Sequence, residues 1–182
     1  MTAYICKFIT IICIISPIYL LLRRPWRHWD KRETALTIFI LFTVALLALA
    51  FEGTYGTPSA MIESMRHRVM SGERINLVPF RTISTFFCHF IPDVFLVNIV
   101  GNIVMFMPWG FGLVLLWKKN QSAGRVLFYC FLITALIETG QLFINRSVDV
   151  DDLILNFAGG CAGAALCTGL KRKFPMLEKF AK

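Results

Sequence analysis

Five apolar runs, over residues 4–22, 35–51, 94–117, 126–143 and 153–170, constrain this chain more than any other feature. Each approaches the ~20 residues an α-helix needs to cross the hydrocarbon core of a bilayer. The run over 35–51 is short and reaches across with tilt or local thinning. In lipid the backbone must satisfy its own N–H and C=O groups, which leaves helices for segments of this length. Hydrophobic residues make up 57% of the 182 and charged residues only 16%, an excess for which a soluble domain has no use. The expected fold is therefore all-α, an integral membrane helical bundle of about five transmembrane helices plus a short interfacial helix. Four spans, with the first helix absent or interfacial, is the rival count. Basic residues follow the first run instead of preceding it, and no small-residue cleavage site appears, so it reads as a retained helix and not a signal peptide.

Between the runs, the residues point to interfaces. Arg23, Arg24, Arg27, Lys31 and Arg32 sit with Trp26 and Trp29, a pairing suited to the headgroup level. Residues 52–93 change character: Gly53, Gly56 and Pro58 mark a loop, and a short helix is expected around 59–70. Over 81–91, Ile83, Phe86, Phe87 and Phe90 recur at helical spacing against Thr82, Ser84, Thr85 and His89, as in a helix lying in the interface or re-entering it. Pro108 lacks an N–H, frees the Val104 carbonyl and should kink the third span.

The net charge of +8 is explained first by topology, because the basic residues flank the apolar runs. No nucleic-acid partner is expected. Thirteen of the 19 lysines and arginines fall in the loops after the first and third runs and in the tail. The positive-inside rule then places the protein in the cell membrane, multi-pass, with the N-terminus outside and the C-terminus in the cytoplasm. Six cysteines show no CxxC and no His/Cys ligand spacing, so neither a disulfide framework nor a zinc site is expected. They read as small apolar residues.

In that orientation, polar residues from three spans share one level. Asn98 and Asn102 lie about 6 and 12 Å below the outer end of the third run, and Glu138 and Gln141 within about 8 Å of the outer end of the fourth. Asn156 is about one turn into the fifth. The spacings Asn98/Asn102, Glu138/Gln141 and Asp149/Asp152/Asn156 each put their members on one helix face. They predict one carboxylate- and amide-lined pocket open to the outside, with Asn76, Pro79, Phe80 and Arg81 as its lid. Ionisable residues at membrane depth are expensive and mark functional sites by default.

Plainer roles compete at each position. The amides Asn98, Asn102, Gln141 and Asn156 serve equally as interhelical hydrogen-bond glue. Gly159, Gly160, Gly163 and Gly169, with Ala158, Ala162 and Ala164, have the small-xxx-small spacing of helix contacts. Asp151 points off the Asp149–Asp152 face and reads as an N-cap or a solvated charge; Asp152 would also suit a helix N-terminus. Glu138, if buried, must be neutral or paired, and Arg81 and Arg146 are the cations on its side. His28, His67 and His89 read as surface or interface residues.

Three blocks resemble the VanZ-like membrane protein family, which is associated with resistance to glycopeptide antibiotics, teicoplanin in particular. Asn76-Leu77-Val78-Pro79-Phe80 resembles its N-x-x-P-F element. Asn98 with Asn102 through Gly110 resembles its N-x-x-x-F-x-P-x-G helix. Glu138-Thr139-Gly140-Gln141, Arg146, Asp149 through Asp152 and Asn156 through Gly159 resemble its closing acidic pattern. The resemblance covers about half the chain and divides it into two N-terminal transmembrane helices with an outer loop (1–75), a VanZ-like domain (76–170) and a basic cytoplasmic tail (171–182). It implies a small integral membrane protein acting on the cell envelope.

Three functional expectations follow. The first is a binding or modulating protein that holds a lipid-linked envelope component, such as a cell-wall precursor, or an acylated glycopeptide among the membrane lipids of the outer leaflet. The second is an enzyme acting on a lipid-linked phosphate or sugar. There Glu138, Asp149 and Asp152 would bind a divalent cation or share acid–base work, and Arg81 and Arg146 would grip phosphate. No Ser–His or Cys–His pair is in reach. The third is a structural subunit packed through its glycine face.

Overall fold

The computed structural model describes residues 2–23, 30–51, 57–118, 122–144 and 146–181. The expected Trp26/Trp29 belt with Arg24, Arg27 and His28, the Gly53–Gly56 loop and the basic residues Lys119 and Lys182 lie outside the described residues. The chain is a helical bundle. Helices α1 (Thr2–Arg23), α2 (Lys31–Ala50) and α3 (Pro58–Ser71) lead into a two-residue strand β1 (Ile75–Asn76), then α4 (Arg81–Cys88) and a one-turn α5 (Pro92–Phe95). α6 (Gly101–Leu116), α7 (Ala123–Gln141), strand β2 (Val148–Asp149) and α8 (Val150–Lys173) complete it. Lys31–Ala50, Pro92–Leu116, Ala123–Ile144 and Val150–Lys173 are long and apolar enough to cross a membrane, so the protein is membrane-embedded. The first of the five runs lies within the continuous helix Thr2–Arg23.

Local chemistry sets the helix ends. Asp30 caps α2 by accepting the Glu33 N–H at 2.7 Å, and Arg23 of α1 meets Glu33 at 3.2 Å, pinning the α1–α2 hairpin where the chain turns. α3 starts at Thr57-Pro58 and stops at Gly72, whose φ of +70° is the left-handed C-cap that glycine takes without strain. The amphipathic segment expected over 81–91 ends at Cys88. Ile91 precedes Pro92 and is extended, as the proline ring requires of its neighbour. In the third span the irregularity falls earlier than Pro108. Leu96–Val100 forms a π-helical turn, while α6 runs on through Pro108.

The core is built on close contact between α6 and α8. A Cβ at Gly159 would overlap the Ile103 carbonyl, and one at Gly163 the Met107 carbonyl. The pairs 103/159 and 107/163 advance together, so the two helices run parallel, with α7 linking them in the chain. Gly110 abuts the Gly160 backbone, and Cys130 of α7 lies against Gly160. Of the glycine face read from sequence, Gly169 alone of the four has open space. Around this seam Leu46, Phe106, Trp109, Leu113, Val114, Ile137 and Cys167 form the buried apolar core. Cys130 and Cys167 are buried as expected of small apolar residues, Cys161 is partly so, and Cys13 and Cys88 are exposed.

The tail is more ordered than a basic extension would be. Lys171 is buried and its Nζ donates to the Val114 carbonyl at 2.8 Å, closing the C-terminal end of α6. Glu178 lies 3.8 Å from the same ammonium on a 3-10 turn, Pro175–Phe180, that folds back against the bundle.

Candidate functional site

The polar residues of the chain's two distant motifs meet at the start of α8. β1 and β2 pair in parallel, with Ile75 opposite Val148 and Asn76 opposite Asp149. Asp149 is the N-cap of α8 and accepts the Asp151 N–H at 2.9 Å. The same carboxylate takes the Asn76 side-chain amide at 2.9 Å and the Thr82 hydroxyl at 2.5 Å. Asn76 in turn accepts the Val78 N–H at 3.2 Å. The expected N-x-x-P-F element is thus fastened to the acidic turn by its asparagine.

Asp151 has a larger part than the sequence suggested. It is completely buried, and its carboxylate accepts the N–H groups of Phe80, Thr82 at 2.7 Å and Ile83 at 3.0 Å. Those are the orphan donors of the first turn of α4, capped by a residue some seventy positions away. Phe80 sits at φ +64°, a left-handed conformation that costs a bulky residue about 1–2 kcal/mol, and its N–H bond to a buried carboxylate offsets that strain. The signal was present in the sequence: Pro79-Phe80-Arg81 opens a helix with no Ser, Thr, Asp or Asn at its N-cap, so its donors needed an acceptor from elsewhere.

Behind this clasp lie the groups contributed by the spans. Asn102 donates to Asp152 at 2.7 Å, both residues being half-buried. Asn156, one turn further along α8, is 5% exposed, and its Oδ1 has no hydrogen-bond partner. Glu138 is equally buried; it accepts the Asp149 backbone N–H, while its Oε2 has no partner. It is close enough to Asp152, Asp149 and Arg146 to feel the charge of each. Asn102 and Asp152 are bonded, Glu138 lies within electrostatic reach of Asp152, and Asn156 follows Asp152 by one turn of α8, a grouping approached through the half-buried Asn102–Asp152 pair.

Other predicted residues take up different work. Gln141 is buried and donates to the Ala50 carbonyl at 2.9 Å, and exposed Arg146 donates to the Leu49 carbonyl at 3.1 Å. Together they satisfy the C-terminal end of α2, where carbonyls lack intrahelical partners. Arg68, in the segment where a short helix is expected around 59–70, is buried and donates to the Arg146 carbonyl at 2.7 Å and to that of Leu142. A cation there also suits the C-terminal dipole of α7. Asn98 lies in the π turn and bonds the Val94 carbonyl of its own helix at 2.8 Å, not the cluster. The i→i+5 turn breaks the α-helical spacing that would align it with Asn102. Pro79, Phe80 and Arg81 are exposed at the rim above Asp151.

Among the described residues no three His, Cys, Asp or Glu side chains are grouped so as to hold one ion. Of the expected set Glu138, Asp149 and Asp152, Asp149 is turned to three donors of its own. A separate apolar groove of about 460 Å³ opens between α2, α6 and α8, with Phe39, Pro108, Phe111 and Leu166 on its walls. Phe111 stands nine residues from Asn102, about two and a half turns at 3.6 per turn, so groove and cluster occupy opposite faces of α6.

The three blocks that resemble the VanZ-like family come together here, Asn76 bonding Asp149 and Asn102 bonding Asp152. A model of the VanZ/LLP1 family matches residues 37–172. The chain belongs to the VanZ/LLP1 family. The match begins inside α2, well before Asn76, so the family unit includes the helix whose C-terminal carbonyls Gln141 and Arg146 hold. In this VanZ/LLP1 protein the first 75 residues are thus not wholly outside the family's fold, although they carry none of its legible motifs. Comparison with curated proteins and with solved structures returns no match.

Proposed function

We propose that this VanZ/LLP1 protein is a binding or modulating protein of the cell envelope. It holds the polar headgroup of a lipid-linked envelope component, or of an acylated glycopeptide, at the outer leaflet, and so lowers susceptibility to glycopeptides such as teicoplanin. The observation that carries the reading is the pair of buried oxygens without partners, Glu138 Oε2 and Asn156 Oδ1, behind a half-buried Asn102–Asp152 pair. Leaving a buried polar group unpaired costs about 1–3 kcal/mol, and a ligand that satisfies it recovers that cost. The excess of lysine and arginine in the loops after α1 and α6 and in the tail supports a multi-pass orientation in the cell membrane with the N-terminus outside and the C-terminus in the cytoplasm. The Asn76–Arg81 rim then lies at the outer surface as the lid, among membrane lipids.

The test combines native mass spectrometry of gently extracted protein with antibiotic susceptibility. Wild type should carry a co-purified lipid and reduce teicoplanin susceptibility. Glu138→Gln should lose both while reaching the same membrane abundance. Wild-type protein free of any lipid, or a variant that loses abundance along with the phenotype, would turn the reading toward a purely structural role for Glu138.

A further inference from the structure

The cluster behind Asn102 and Asp152 is richer in free acceptors than in free donors. Glu138 Oε2 and Asn156 Oδ1 lack partners in residues 5% exposed. Asp152 accepts one side-chain hydrogen bond, from Asn102, although a carboxylate offers about four lone-pair sites. Most neighbouring donors are engaged, the Gln141 amide on Ala50, the two Arg68 Nη groups on the Arg146 and Leu142 carbonyls and Arg146 on Leu49, while Arg68 Nε has no partner among the described residues. The negative charge of Asp149 and Asp151 is turned to the N-terminal amides of α8 and α4. Glu138 lies within electrostatic reach of Asp152, and Arg146 acts on both as the counterweight.

A ligand that fits must bring donors and positive charge. Phosphate brings acceptors and negative charge, and a sugar hydroxyl brings one donor and no charge. A metal ion is the poorer fit, because among the described residues no third His, Cys, Asp or Glu joins the Glu138 and Asp152 carboxylates. A primary ammonium brings three donors and one positive charge, matching the three under-used groups Glu138, Asp152 and Asn156. Resting on the headgroup reading above, we infer that the group held in this cluster is the primary ammonium of an amino-bearing headgroup.

The full chain, purified in mild detergent and stripped of lipid, is incubated with phosphatidylethanolamine, its N-acetylated form and phosphatidylglycerol, and retention is read by native mass spectrometry. N-acetylation removes the charge and two of the three donors while leaving the lipid otherwise intact. Retention of phosphatidylethanolamine should exceed that of either other lipid by at least about tenfold, the factor set by one charge-assisted hydrogen bond. Glu138→Gln should lower it by a similar factor at an unchanged melting temperature. The comparison among lipids on wild type stands even if that variant misfolds. Competition by free ethanolamine would assign recognition to the amine alone; its failure to compete, with the preference over the N-acetylated lipid intact, would assign it to the amine within a lipid headgroup. Equal retention of the N-acetylated lipid, or of phosphatidylglycerol, overturns the ammonium assignment while the headgroup reading stands. Retention of no lipid at all overturns both.

Discussion

Replacing Asp151 with alanine should release α4 from the bundle. The carboxylate is fully buried and receives three backbone N–H groups, from Phe80, Thr82 and Ile83. A hydrogen bond to a charged group contributes about 1.5–3 kcal/mol, but the three share one acceptor and do not add. Phe80 is exposed enough for water to replace part of its loss, whereas Thr82 and Ile83 are half-buried. The docking of α4 should therefore weaken by about 3–5 kcal/mol, in the range found on breaking buried charged pairs. Asp151→Asn keeps one acceptor oxygen and should lose roughly half as much, about 1.5–2.5 kcal/mol on the same per-bond figure. Hydrogen–deuterium exchange in nanodiscs reads this directly. A loss of about 3 kcal/mol speeds opening of the Phe80–Ile83 amides by about a hundredfold, while amides in the middle of α8 stay protected. Unchanged exchange at residues 80–83 in Asp151→Ala would refute the assignment of Asp151 as the cap of α4.

Two further perturbations separate contacts that resemble each other in sequence. Gly163→Ala puts a methyl group against the Met107 carbonyl and should destabilise the bundle by about 1–3 kcal/mol or more. Gly169→Ala, with nothing within reach, should be neutral or slightly stabilising through its helix propensity; equal effects in thermal unfolding would contradict the α6–α8 seam. Lys171→Met keeps the buried stem but removes the bond to the Val114 carbonyl. It should cost about 1–3 kcal/mol, seen as a melting temperature several degrees lower, and no shift would mean that the C-terminal turn contributes nothing to α6.

Much of this was written in the residues, and the remainder depends on tertiary partners. Hydropathy alone marks α2, α6, α7 and α8, because a bilayer demands long apolar helices whatever they pack against. The i,i+4 spacing placed Asp152 and Asn156 on one face, and the Gly159/Gly163 spacing announced a close helix contact. The identity of its partner, the carbonyls of Ile103 and Met107, had no sequence mark. β1 and β2 are two residues each, too short for any alternating pattern to declare them, and they sit far apart in the chain. Asp151 was set aside because helix-face reasoning asks which residues share a side, whereas its partner is the start of a different helix. Arg68 in the short helix and Lys171 in the basic tail carry no mark of their burial for a similar reason. Each reaches carbonyls at the end of another helix, and nothing nearby in sequence records that need.

That the acceptor cluster opens toward the outside of the cell is tested most directly by labelling its adjoining turn. Ser147 is exposed beside Arg146 and can carry an introduced cysteine in a chain whose Cys6, Cys13, Cys88 and Cys161 are serine, leaving the buried Cys130 and Cys167 of the native six. Intact cells expressing Ser147→Cys, treated with a membrane-impermeant maleimide, should label fully without permeabilisation. Labelling only after the membrane is opened would place the turn in the cytoplasm and contradict an outer-leaflet headgroup site.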